Sequence, residues 1–320
     1  MKRIAITLGD PDGIGPEVAL KATHGLEYPV VLIGPMSLRQ HPLIGDLCRD
    51  LPITTIHPDH LSTLPPSEIG WIDIGWDTAV PPTIPKAISG HIARKSIDVA
   101  IALAQSGQIS AITTAPISKE NQVIAGYKEW DHTSILGQHF GLEPTMAFYS
   151  KSFNVVLTTI HVPLRDVPSM ITADRLATTI TRTSEWLGRL GISTPKIAVA
   201  GLNPHAGENG VLGSEETEII VPTIRALTER YPLISGPFPA DTLFSQAHRY
   251  DCIVAMYHDQ GLAPLKTVAF DSAVNVTLGL PIIRTSPDHG TASDIAYLGK
   301  ANPMSMRSAI ELAWKLANGT

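Results

Sequence analysis

The chain has 320 residues, with 24 Lys and Arg against 30 Asp and Glu, a net charge of −6, 43% hydrophobic residues and 17% charged ones. This balance excludes a disordered or fibrous chain, and its mild acidity argues against a broad nucleic-acid surface, which needs clustered basic charge. An anionic ligand would have to meet positive groups concentrated at one place. From the N-terminus, residues 4–8 form an apolar run too short for a leader, which stops at Gly9-Asp10-Pro11, so it reads as a first strand. Buried strands are also expected at 30–33, 111–114, 155–160, 197–202 and 253–256. Helices are expected at 16–24, 92–105, 173–190, 215–230 and 304–318; Ile97, Ala100, Ile101 and Ala104 have helical spacing. The Pro-, Ser- and Thr-rich stretch 57–85 reads as irregular surface structure. Strands alternating with helices indicate an α/β fold with a largely parallel sheet.

No window reaches the roughly 18 apolar residues of a membrane helix. The two cysteines, Cys48 and Cys252, form no CxxC pair and read as buried small hydrophobes of a reduced, cytoplasmic protein.

Gly9-Asp10-Pro11-Asp12-Gly13-Ile14-Gly15-Pro16-Glu17 follows a strand and opens a helix, with Pro16 suited to the first helical position and Glu17 to the positive end of the helix dipole. Glycines there let backbone approach a ligand, and free amides favour an anion. The spacing is not the GxGxxG dinucleotide fingerprint. As a bare pattern it reads equally well as a tight turn.

Three of the 12 histidines, His161, His205 and His258, follow three expected strands at equivalent places. In open α/β sheets ligands bind beyond the carboxyl ends of strands, and imidazoles suit a divalent metal. Each His singly reads more readily as a loop residue satisfying carbonyls; for three in parallel that reading and a metal site are evenly matched. Asp241 and Asp259 are nearby acids that read as outer ligands, as groups orienting a histidine, or as helix caps. A fourth, His132, lies in Trp130-Asp131-His132-Thr133-Ser134 before an apolar helix, where Asp131 or Thr133 is a candidate cap. Further on, Lys266, Asn275 and Arg284 supply polar and positive groups suited to a phosphate or carboxylate.

Taken together, these motifs resemble the 4-hydroxythreonine-4-phosphate dehydrogenase family over nearly the whole chain. The resemblance rests on the 6–17 segment, Asn203-Pro204-His205-Ala206-Gly207-Glu208, Gly236-Pro237-Phe238-Pro239-Ala240-Asp241-Thr242, Tyr257-His258-Asp259-Gln260-Gly261 and Asp288-His289-Gly290-Thr291-Ala292. The first and last also look like the ends of isocitrate and isopropylmalate dehydrogenases. The implied fold has two α/β/α subdomains around a cleft with largely parallel sheets. Residues 1–130 plus 268–320 would form a discontinuous NAD-side subdomain, and 131–267 the metal-ligand and dimerisation subdomain.

The resemblance assigns His161, His205 and His258 to one divalent metal (zinc, magnesium or cobalt). It assigns His132, Thr133, Lys266, Asn275 and Arg284 to substrate. Asp288, His289, Gly290, Thr291, Ala292 and Asp294 fall to the adenosine side of NAD or NADP. Asp241 and His132 are candidate proton acceptors. It implies a homodimer with the active site at the interface and metal ligands from both chains, with no nucleic-acid or membrane partner. The implied reaction oxidises the secondary alcohol of 4-phosphohydroxy-L-threonine. The resulting 3-oxo acid loses CO2 to give 3-amino-2-oxopropyl phosphate, in pyridoxal phosphate biosynthesis. Three positions depart from the family pattern. Asp131 and Ser134 stand where it has Gly and Glu, and Tyr297 stands where it has Gly. The change at 131 and 134 leaves open the same chemistry on a sugar-acid phosphate, D-threonate or D-erythronate 4-phosphate, while Tyr297 bears on the adenine pocket or packs on its rim. A three-histidine metallohydrolase and a binding protein with structural histidines are the readings from other classes.

Overall fold

A computed structural model describes residues 2–76 and 84–319. In chain order the elements are β1 (Arg3–Thr7), α1 (Gly15–Thr23), β2 (Val30–Gly34), α2 (Pro42–Arg49), β3 (Ile53–Thr55), β4 (Ile69–Asp73), α3 (Lys86–Gln105), β5 (Ile109–Thr114), α4 (Lys119–Ile124), α5 (His132–Phe140), β6 (Thr145–Tyr149) and β7 (Val155–Leu157). They continue with α6 (Val167–Met170), α7 (Ala173–Arg189), β8 (Ile197–Ala200), α8 (Val221–Leu227), β9 (Ile234–Phe238), α9 (Ala240–Leu243), β10 (Cys252–Ala255), α10 (His258–Ala269), β11 (Val274–Leu278), β12 (Ile283–Pro287) and α11 (Met304–Asn318).

The chain divides into two compact units. One is built on the residues up to Glu143 plus Leu280–Asn318, the other on Pro144–Gly279. Residues 131–143 therefore lie with the first unit, because α5 buries Ile135 and Leu136 in its core. Residues 268–279 lie with the second, because β11 pairs antiparallel with β6.

The first unit carries strands in the order β3-β4-β2-β1-β5-β12, all parallel. Alternation along β1 distributes its side chains between two cores. Ile4, Ile6 and Leu8 pack with Val18, Ile44, Met306 and Ile310 from α1, α2 and α11. Ala5 faces the opposite cluster, with Ile92 and Ile97 of α3 and Ile135 of α5. Helices thus cover both faces, as a buried parallel sheet requires. In the second unit the order is β11-β6-β7-β10-β8-β9, with β7, β10, β8 and β9 parallel. Leu262 and Leu265 of α10 and Leu243 of α9 pack on Val155, Ile253 and Ala198.

Three expectations change. The stretch 57–85 is not wholly irregular: β4 lies inside it, with Trp71 completely buried and its Nε1 donating to the Gly34 carbonyl at 3.0 Å. Residues 77–83 of that stretch lie outside the described residues. The strand expected at 155–160 ends at Leu157, although Thr158 and Thr159 still donate to the carbonyls of Ala255 and Met256. The helix expected at 215–230 is a π-helical turn, Glu216–Ile220, followed by α8. The helical backbone runs unbroken through Ile220 and Val221 to Leu227, and Pro222, which has no N–H for the ladder, sits where the π-helical turn gives way to α8. Both cysteines are buried and free. Burial pushes both thiols upward, so neither is a nucleophile at neutral pH. Among the described residues no helix is long and apolar enough to cross a membrane.

Candidate active site

In the first unit, β1 lies between β2 and β5, so the chain changes direction across the sheet beside β1. Ligands favour the carboxyl edge at such a switch point. The glycine-rich segment leaves β1 at that edge, and the 288–301 segment leaves β12 at the same edge. The two are packed together. Ile14 N–H donates to the Thr291 carbonyl at 2.8 Å. A Cβ on Gly13 would stand 2.9 Å from the Thr291 backbone oxygen and Cβ, so only glycine permits this approach. Glu17, 1% exposed, accepts from Lys21 Nζ at 2.6 Å and from Ala301 N–H at 3.0 Å, while Lys21 Nζ also donates to the Gly299 carbonyl at 2.8 Å.

Tyr297 closes the same contact. Its backbone is left-handed, with φ 61°. Its hydroxyl donates to the Pro11 carbonyl, and its ring lies against His41 with centroids 4.6 Å apart. Burial, then the Asp12, Asp10 and Glu17 carboxyls, push that hydroxyl's pKa upward, so it stays protonated. Asp10 and Asp12 are themselves raised, chiefly by burial, although Asn121 Nδ2 donates to Asp10 at 2.8 Å and Ser89 Oγ to Asp12 at 2.7 Å.

Of the residues expected at the cofactor, Thr291 and Ala292 belong to this packed segment, and Asp288 N–H donates to Ser305 Oγ at 3.4 Å. His289 turns Nδ1 to the Gly290 carbonyl at 3.0 Å and leaves Nε2 buried without a partner. Gly290 and Asp294 are exposed.

Arg284, on β12, is a cation of this unit that is only 2% exposed. Its Nε and Nη2 donate to Thr114 Oγ1 at 3.2 and 2.7 Å, at the carboxyl end of β5. Burial lowers the guanidinium to about 10 from its usual 12.5, and the nearby Asp131 charge opposes that fall. His132 opens α5. Burial first, and Arg284 second, hold its imidazole well below 6.5, so it is neutral at pH 7. Its Nε2 is shut off from solvent and has no protein partner. Thr133 is buried beside it.

Asp131 caps α5: its Oδ1 accepts from Thr133 N–H at 2.8 Å and Ser134 N–H at 3.1 Å, and Ser134 Oγ returns to the Asp131 carbonyl at 2.9 Å. Asp131 and Ser134, two of the residues that depart from the family pattern, therefore complete one capping box.

In the second unit, β7, β10 and β8 are parallel neighbours, so His161, His258 and His205 all follow the same sheet edge. His161 and His258 come together, with ring centroids 5.6 Å apart. They line a cavity of about 380 Å³ with Ile160, Tyr257 and Asp259. His258 Nδ1 pairs with Asp259 Oδ1 at 2.7 Å, which fixes the ring and leaves Nε2 for a ligand. His205 stands in a left-handed segment after β8. Among the described residues, no three His, Cys, Asp or Glu side chains are gathered to hold a cation. The donor chemistry, two imidazoles with a carboxylate behind one of them, fits a divalent cation that draws a further ligand from elsewhere. Asp241 is exposed at the start of α9, which packs against the His205 segment. Lys266, on the last turn of α10, lies over the Phe270 ring at 5.9 Å. Asn275, on β11, has its Oδ1 buried without a partner.

Residues 27–313 match the family model of the pyridoxal phosphate biosynthetic protein PdxA. The chain belongs to that family. It is 42% identical to a 4-hydroxythreonine-4-phosphate dehydrogenase of Bradyrhizobium diazoefficiens, covering 99% of this chain and 97% of the relative. It is 40% identical to a D-threonate 4-phosphate dehydrogenase of Pectobacterium atrosepticum, over 99% of each. A crystal structure of 4-hydroxythreonine-4-phosphate dehydrogenase from Klebsiella pneumoniae superposes with a TM-score of 0.85 at 38% identity, over 99% of this chain and 100% of that one. This PdxA-family chain is an oxidoreductase, and membership of a dehydrogenase family implies a nicotinamide cofactor.

Two residues of the site escaped the sequence reading. Thr114 receives Arg284 from far along the chain, and its one signal is its place as the last residue of an apolar strand. Glu216 underlies the His205 segment, yet in sequence it looks like one of several acids on a solvated helix.

Proposed function

We propose that this chain is an NAD-dependent, divalent-metal-dependent dehydrogenase. It oxidises 4-phosphohydroxy-L-threonine to a 3-oxo acid that decarboxylates to 3-amino-2-oxopropyl phosphate, in pyridoxal phosphate biosynthesis. The observation that carries this reading is the buried pair at β12 and α5. Arg284 is a cation held away from water beside His132, whose neutral imidazole has an unused, buried Nε2. Such a pair suits a small anionic substrate with hydroxyl groups: the guanidinium binds phosphate or carboxylate, and the imidazole exchanges a hydrogen bond with an alcohol.

His161, His205 and His258 are the residues that would hold the cation, taken from two chains of a homodimer. When bound, a divalent cation lowers the pKa of the alcohol and favours loss of hydride to NAD. Asp259 orients His258. Lys266 and Asn275 add substrate contacts, and the anion contacts position the carbinol carbon, a contribution of orientation rather than of chemistry. Either His132 or Asp241 accepts the proton. The paired 288–301 and glycine-rich segments hold the adenosine side of NAD, with Gly13 and Thr291 at their closest approach. We place the enzyme in the cytoplasm.

A second reading, the same oxidation of D-threonate 4-phosphate, is favoured by the equally extensive likeness to the Pectobacterium enzyme. Incubating the purified protein with NAD, a divalent cation and each of the two phosphates, and following NADH absorbance, separates them. Faster NADH formation with 4-phosphohydroxy-L-threonine supports the first reading and faster formation with D-threonate 4-phosphate the second. No NADH with either overturns both. Sedimentation of an active monomer would overturn the dimer.

A further inference from the structure

The segment after β8 is the most strained backbone in the second unit. His205, Ala206, Glu208 and Asn209 all have left-handed φ, between 44° and 56°, and Gly207 continues the run at 77°. L-residues adopt this region singly and seldom in succession, and such a run persists only where its surroundings over-determine it. Beneath this run, at its mouth, lies Glu216.

Glu216 is 2% exposed and begins the π-helical turn that precedes α8. Its Oε1 accepts from Leu202 N–H at 2.7 Å and from Asn203 N–H at 2.8 Å. Its Oε2 accepts from Asn203 Nδ2 at 2.9 Å. The segment is folded tightly over it: a Cβ on Gly207 would stand 2.6 Å from Glu216 Oε2, and one on Gly201 3.2 Å from Oε1. A buried carboxyl group bonded by backbone amides at the mouth of a loop is a clamp on that loop. π-Helical turns, which insert an extra residue and re-aim a side chain, are frequent at functional sites.

We infer that Glu216 is the positioning residue for His205: it holds the 202–210 backbone in its left-handed form and so sets how that imidazole is presented to a divalent cation. The role lies one step behind the ligand and rests on the reading of His205 as a metal ligand. It makes a prediction about the backbone that does not depend on that reading.

The test uses the full chain, metal-free and cobalt-loaded. In the metal-free protein, Glu216→Ala should speed amide hydrogen exchange at Leu202, Asn203 and the 205–210 segment by roughly tenfold or more, leaving β8, β10 and the first unit unchanged. Glu216→Gln keeps the Oε1 acceptor and should retain most of the protection. Gly207→Ala, which pushes a methyl against Glu216, should reproduce the Glu216→Ala pattern without removing the acid. In cobalt titrations, Glu216→Ala should weaken binding by roughly ten- to a hundredfold, as loss of an outer partner does. The Glu216→Ala/His205→Ala double variant should bind no worse than His205→Ala.

Unchanged exchange at 202–210 in Glu216→Ala overturns the clamp. Additive losses in the double variant overturn action through His205. If His205→Ala binds cobalt as tightly as the parent, the metal assignment itself fails and takes the cation half of the inference with it. The exchange data then still decide the clamp.

Discussion

Replacing Arg284 by Met should leave the free enzyme at least as stable while removing most of its grip on substrate. Methionine keeps an unbranched stem of similar volume in a site that is 2% exposed, so packing changes little. The guanidinium falls from 12.5 to about 10 on burial, and such a fall corresponds to roughly 3 kcal/mol of unfavourable desolvation in the free protein. Removing the charge releases that penalty. Thr114 Oγ1 loses the two N–H groups that reach it, at 3.2 and 2.7 Å, and leaving it unpaired costs about 1 kcal/mol. The net expectation is a free enzyme no less stable than the parent, with a Tm unchanged or higher.

The sign holds across neutral pH. A base with a depressed folded pKa is penalised fully below that value, because both states are then charged, and the penalty fades only above about pH 10. Substrate binding loses a charge-assisted contact of about 2–4 kcal/mol, hence a fall in kcat/KM of roughly 30- to 1,000-fold. The contact is made equally in ground and transition states, so the change should lie in KM with kcat nearly constant. Steady-state kinetics and a thermal melt of the same preparation measure both. A Tm lowered by several degrees with an unchanged KM would show that Arg284 is a structural residue and refute the reasoning.

His132 is neutral in the fold because burial, then Arg284, hold its pKa well below 6.5. As pH falls below about 6.5 the unfolded chain takes up a proton that the folded chain refuses, so stability falls with pH in that window. His132→Gln should flatten the slope by up to about 1.4 kcal/mol per pH unit in melts between pH 5 and 7, and parallel slopes would reject the assignment. Gly13→Ala drives a methyl to 2.9 Å from the Thr291 backbone. It should raise the KM for NAD at least tenfold, an effect of about 1.4 kcal/mol, while leaving phosphate-substrate affinity close to the parent; equal effects on both would detach this contact from the cofactor. His258→Ala should abolish cobalt binding and NADH formation with an unchanged circular dichroism spectrum, since the side chain is 36% exposed and supports no core; activity retained after chelation would sink the metal role.

The parts of this molecule that could be read in advance are those whose signal is local. The run Ile4 to Leu8 ends in glycine, and three strands each end before a histidine, so the sheet edge and its imidazoles were legible from period and punctuation. Asp131 was legible as a cap because its partners, Thr133 and Ser134, are its neighbours. β4 was not, because proline and serine flank a strand whose burial comes from β2 and β3 on either side. Thr114 and Arg284 meet across 170 positions, a contact no window contains. Glu216 was hidden for a different reason: next to Glu215 and Glu218 it has the composition of a solvated helix face, yet it is buried where the π-helical turn begins.

The capping box also bears on which phosphate the enzyme prefers. Asp131 and Ser134 replace the Gly and Glu of the family pattern, so one acid is kept at the start of α5 but moved to the cap itself, where the helix dipole still favours it. In its new place the acid faces Arg284 and opposes the fall in that group's pKa. A carboxyl beside the guanidinium weakens the site for a doubly anionic hydroxy acid and favours a substrate that brings its own ammonium. On the proposed reading, that charge belongs to 4-phosphohydroxy-L-threonine and not to threonate 4-phosphate. Asp131→Asn isolates the effect, because Asn caps a helix as well as Asp does and only the charge is lost. For a partly exposed charge pair the difference is about 0.5–1 kcal/mol. The ratio of kcat/KM for the amino acid phosphate over the threonate should therefore fall roughly two- to fivefold, with Tm nearly constant. A ratio that rises, or one that stays fixed while both values change together, would mean that Asp131 acts only as a cap and that substrate choice is set elsewhere in the site.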